Sequence, residues 1–173
     1  MRSKRSLTAR VVALGAALVS LLFVVAPQPS MAGPGKLPLT VVAKDYRFLG
    51  VPSSLPAATY RTTFSNVGDE FHVMLALNLG PTCSALSDRR VIRLVDEILE
   101  LEDEAAQDAA FADACPGGSF AGAVAAPPGG QDREDLTFTP GRVYYFCPVP
   151  TEEGTPHYEL GMRGFVDVRS VVR

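Results

Sequence analysis

Apolar and polar positions along this chain follow two different periods, and the change of period divides it. Short apolar stretches over residues 39–43, 46–49, 59–66 and 71–79 are rich in Val, Thr, Tyr and Phe and are separated by Pro, Gly, Ser or Asp. That pattern predicts strands. The alternation Tyr60-Arg61-Thr62-Thr63-Phe64 suits a half-buried antiparallel strand. Over 87–114 the period lengthens: Val91, Leu94, Val95 and Ile98 fall at i, i+3, i+4 and i+7, the apolar stripe of an amphipathic helix. Ser87 stands where a cap would, Asp88 opens the first turn and Pro116-Gly117-Gly118 closes the segment. Its other face, with Asp96, Glu97, Glu100, Glu102, Asp103 and Glu104, reads as a solvated surface. Pro127-Pro128-Gly129-Gly130 marks a flexible connection, after which strand signals return over 136–139, 142–147 and 164–172. Seven or eight short strands punctuated by Pro and Gly predict an all-β Greek-key sandwich, with the helical segment inserted at about 87–114.

Residues 1–32 lie outside this pattern. A basic start (Arg2, Lys4, Arg5, Arg10), an apolar run over 11–26 and the small-residue pattern Ser30-Met31-Ala32 predict a cleaved secretory signal, not a membrane anchor. Residues 33–38 read as a Gly/Pro linker, and 39–173 as one domain. Cleavage leaves 12 basic residues against 19 acidic ones, a formal charge of −7. Such a surface repels nucleic acid and anionic lipid and favours a basic partner. The expectation is a monomer in the periplasm or outside the cell, without stable membrane insertion.

Three cysteines in an exported chain leave one without a partner. Cys83 and Cys115 bracket the helical segment and form the natural disulfide, so Cys147 is the odd thiol. Outside the cell a free thiol is open to oxidation unless something such as a metal protects it. The segment from Cys147 through His157 to Met162 offers a thiolate, an imidazole and a thioether on one loop between two strands. Soft sulfur with borderline nitrogen selects copper, with two His and one Cys in a plane and a weak axial Met. The chain contains one other histidine, His72, at the start of an apolar strand.

Taken together, these residues resemble the plastocyanin/azurin family of type 1 (blue) copper proteins, the cupredoxins. The resemblance makes His72 the first ligand, Cys147 the thiolate, His157 the second imidazole and Met162 the axial ligand. It covers the strand order of the domain but not the helical insertion. It implies one type 1 copper ion and a one-electron carrier working with a redox partner. It also implies electron exchange through an exposed edge of His157 ringed by Val149, Pro150 and Leu160. Two departures stand out. Val73 follows the first histidine where plastocyanins usually carry a polar residue, leaving only its backbone N–H for the sulfur. Pro148 has no N–H, which makes Val149 the next donor. Catalysis by the chain alone is not expected, because no histidine remains for a second metal site once these two are assigned. Two other functions stay open: a copper carrier or store, and a metal-free module for protein contact.

Overall fold

The computed structural model describes residues 35–171; the signal reading of residues 1–32 falls outside them. Nine strands and three helices follow in the order β1 (Leu37–Lys44), β2 (Arg47–Leu49), β3 (Ser54–Pro56), β4 (Ala58–Asn66), β5 (His72–Asn78), α1 (Gly80–Cys83), α2 (Asp88–Leu99), α3 (Glu104–Ala114), β6 (Ser119–Ala126), β7 (Gln131–Phe138), β8 (Gly141–Phe146) and β9 (Arg163–Arg169). They form a four-stranded sheet, β2-β1-β4-β7, and a five-stranded sheet, β3-β9-β8-β5-β6. The expected sandwich with a helical insertion is therefore present, with nine strands in place of seven or eight.

Alternate positions of each strand fill the space between the sheets, as the period of two requires. Val41 and Ala43 of β1, Tyr60 and Phe64 of β4, Met74 and Ala76 of β5, Leu136 and Phe138 of β7 and Val143 of β8 share one buried cluster with Cys147 and Met162. The five-stranded sheet is buried on its other face too. Tyr144 and Phe146 of β8 pack with Val91 and Val95 of α2 and Phe111 of α3 in a second cluster. Burial on both faces explains why Val143-Tyr-Tyr-Phe-Cys147 is a continuous apolar run.

Several expectations are corrected. Leu37 and Pro38, read as linker, already pair with Tyr60 and Arg61. The strand at 58–66 is antiparallel to β7 but parallel to β1. The single helix over 87–114 is two. Asp103 takes an extended backbone and its carboxylate accepts the N–H of Ala106 at 2.8 Å, capping a second helix. Ser87 does occupy the N-cap of α2, but its hydroxyl makes no capping bond; Asp88 instead holds Arg163 at 3.0–3.2 Å. The Pro/Gly connection at 127–130 is a tight turn, with Gly130 N–H donating to the Pro127 carbonyl at 2.8 Å. The strand β6 that precedes it is Ala- and Gly-rich. Gly122 has φ +129°, and a Cβ there would crowd the Asp135 backbone carbonyl at 3.0 Å as well as Leu136 Cδ2 at 2.7 Å, so the close approach of β6 to β7 depends on its missing side chain. The disulfide joins Cys83 to Cys115 as expected, tying α1 to the end of α3. Among the described residues no helix is long and apolar enough to cross a membrane.

Candidate metal centre

At one end of the sandwich, β5 begins with His72, and the loop joining β8 to β9 carries Cys147, His157 and Met162. All four side chains are fully buried. The period of two turns His72, like Met74 and Ala76 after it, toward the sandwich interior. The loop folds as a small hairpin of its own. His157 N–H donates to the Val149 carbonyl (2.9 Å), Tyr158 N–H to Cys147 (3.0 Å), Met162 N–H to His157 (3.0 Å) and Cys147 N–H to Met162 (3.0 Å). Cys147, His157 and Met162 are thus tied to one another through their own backbone. Pro148, Pro150 and Pro156 restrict the remaining torsions.

The donor atoms converge. His72 Nδ1 lies 3.1 Å from His157 Nδ1, which lies 3.5 Å from Cys147 Sγ. All three lie within 4.8 Å of one another, a group able to hold a metal ion. Met162 shares the buried cluster of Cys147. Val73 N–H donates to the Cys147 sulfur at 3.4 Å, the bond anticipated from the sequence. Burial pushes the Cys147 thiol above its usual range, opposed by the N–H groups of Val73 and Val149.

What the sequence did not reveal is the outer side of the two rings. His72 Nε2 lies 2.6 Å from Asp45 Oδ1, and His157 Nε2 lies 2.7 Å from Glu70 Oε2. A carboxylate only accepts, so each Nε2 carries the proton, and in a neutral ring Nδ1 is then a bare lone pair. Burial holds His157 below the usual imidazole range, against the pull of Glu70, which keeps its ring neutral at pH 7. With both rings neutral, two lone pairs and a sulfur face one another in a buried space. A cation among them relieves that arrangement, and the donor set is the one that suits copper.

The second oxygen of each carboxylate is also engaged. Asp45 Oδ2 accepts the N–H of Asp69 at 2.9 Å, and Glu70 Oε1 accepts the hydroxyl of Tyr46 at 2.6 Å. Partial burial opposes ionisation of Asp45, but the Asp69 N–H and His72 hold its carboxyl below the usual range. The Tyr46 hydroxyl, together with His157, does the same for Glu70. In return, the bond to Glu70 pushes Tyr46 up to about 12. The Tyr46 ring covers His157 at a centroid distance of 4.9 Å. The expected exposed edge of His157 is therefore absent: the residue has no accessible surface, with Glu70 on its Nε2 and the Tyr46 ring packed against it. The only hint in the sequence was Glu70, two residues before His72; Asp45 sits in a distant turn that no motif marks.

No protein-family model matches the chain, and no curated protein matches it. Solved structures do. Dithionite-reduced auracyanin from the photosynthetic bacterium Roseiflexus castenholzii aligns with a TM-score of 0.50 at 15% identity, over 78% of this chain and 98% of its own. Auracyanin A, a "blue" copper protein from Chloroflexus aurantiacus, aligns at 0.49 and 18%, over 78% of this chain and 100% of its own. Reduced rusticyanin aligns at 0.39 and 20%, over 79% and 82%. By its two-sheet architecture and its likeness to the first of these, the chain has a cupredoxin-like fold.

Proposed function

We propose that the protein is an exported one-electron carrier that binds a single type 1 copper ion through His72, Cys147 and His157, with Met162 as axial ligand. The observation that carries this is the inward convergence of three donor atoms: the two Nδ1 atoms lie 3.1 Å apart, and the Cys147 sulfur lies 3.5 Å from His157 Nδ1. Such separations are spanned by metal bonds of about 2.0–2.3 Å. Bound there, copper supplies a one-electron couple that needs no atom transfer from the protein. Four protein ligands leave no open position for a substrate, which favours electron transfer over catalysis. Rigid ligands suit the task, since a loop held by its own backbone bonds and three prolines changes little between oxidation states. Full burial of every donor favours an ion that stays over one that is handed on, so a carrier or store fits less well.

Export rests on the signal-like N-terminus and on the Cys83–Cys115 disulfide, which suits an oxidising compartment. The acidic balance of the domain suits a basic redox partner. Titration of the purified chain with Cu(II) is expected to give an intense blue colour saturating at about one ion per chain, from thiolate-to-copper charge transfer. A chain that stays colourless and indifferent to copper overturns the proposal.

A further inference from the structure

Two carboxylates touch the histidines, and nothing in the ligand set requires them. A buried imidazole N–H needs an acceptor, but a backbone carbonyl would satisfy it without charge. Here Asp45, in the turn between β1 and β2, and Glu70, in the turn between β4 and β5, reach the rings from separate loops. Both loops are built for this contact. Buried Asn66 donates to the carbonyls of Glu70 (2.7 Å) and Ala126 (2.9 Å) and accepts the N–H of Gly68 (2.9 Å). Gly68 passes so close over the Asp45–His72 pair that a Cβ there would overlap Asp45 Oδ1 and lie 2.9 Å from His72 Nε2. Asp69 N–H and the Tyr46 hydroxyl then fix the outer oxygens. Each carboxylate stays partly in solvent, 25% exposed for Asp45 and 35% for Glu70, so its charge is retained at modest desolvation cost.

We propose that Asp45 and Glu70 are positioning residues for the metal centre: they hold both imidazoles with Nδ1 inward, and their two charges bias the site toward the oxidised, divalent ion. The charge argument rests on the copper reading above; the positioning argument does not. A thiolate and two carboxylates around a divalent ion leave one net negative charge, and around a monovalent ion two. Taking up one electron, with no proton, therefore places added charge beside two fixed carboxylates. Replacing either by its amide keeps an acceptor oxygen and removes the charge.

Two measurements test this. In copper-loaded Glu70→Gln and Asp45→Asn, the blue band is expected to remain while the potential rises. The relative affinity for Cu(I) over Cu(II) should increase about tenfold for each, or 59 mV for a one-electron couple, and further in the double variant. Relative affinities for Cu(I) over Cu(II) within twofold of the parent in both variants would overturn the charge bias. Glu70→Ala, lacking charge and acceptor alike, should in addition shift the blue band, whereas Glu70→Gln should not; a band indifferent to both would overturn positioning by Glu70. Nitrogen NMR of the metal-free parent chain needs no variant to fold. Both rings should carry a proton on Nε2, and a ring with bare Nε2 overturns its positioning. Should the parent take up no copper, the proposed function falls, while the metal-free spectrum still decides the ring positions.

Discussion

The two faces of the five-stranded sheet are buried by different means. The inner face ends at the candidate metal centre, where backbone hydrogen bonds fix Cys147, His157 and Met162 and carboxylates on neighbouring turns hold the rings of His72 and His157. The outer face is held by apolar contact of Tyr144 and Phe146 with α2 and α3, and by one disulfide. Residues on alternate positions of β8 serve the two sides within a few ångströms of each other. A site whose ligands are set by directional bonds should lose its metal without losing the fold. A helical layer set by apolar burial and a cross-link should lose stability without losing the metal.

Replacing Cys147 by Ser is expected to have the largest effect, abolishing the blue band while circular dichroism of the metal-free chain keeps its β signature. A variant that stays blue would break the ligand assignment. Next comes the outer face. Phe111→Ala should cost about 3–5 kcal/mol in denaturant unfolding, the range for deleting a buried aromatic ring, with the absorption spectrum of the loaded protein unchanged. A shifted band would mean that the two faces are coupled through β8. Replacing Cys83 and Cys115 together by Ser opens a loop with a sequence separation of 32, which in the chain-entropy account costs about 3–4 kcal/mol. Copper stoichiometry should again stay constant. Asp103→Ala, which removes only the cap of α3, should cost about 1 kcal/mol and fray that helix in hydrogen exchange, leaving β8 protected.

The same contrast separates what was legible in the sequence from what was not. Cys147, His157 and Met162 were legible because one loop carries them in order, and His72 because the chain has only one other histidine. The apolar stripe of α2 was equally plain. The break before α3 was hidden in an acidic run, where Asp103 is one carboxylate among several and nothing in the run marks it as the one that caps. Strand β6 escaped because Ala and Gly have little strand preference; pairing with β5 makes it a strand. The first half of β7 is charged because it lies on the edge of its sheet, where charge is tolerated and useful. Asp45 and Glu70 escaped for a deeper reason. Each belongs to an ordinary polar turn, and only the folding of two turns over one end of the sandwich brings them to the rings. Their presence also overturns the exposed His157 edge.

The central claim is that one copper ion sits among these four side chains. Anomalous diffraction at the copper edge, from crystals of the copper-loaded chain, tests it most directly. The account predicts a single strong peak bounded by His72 Nδ1, His157 Nδ1 and Cys147 Sγ, with the Met162 sulfur on the axial side. A peak elsewhere, or none at that position in crystals that contain copper, would contradict it.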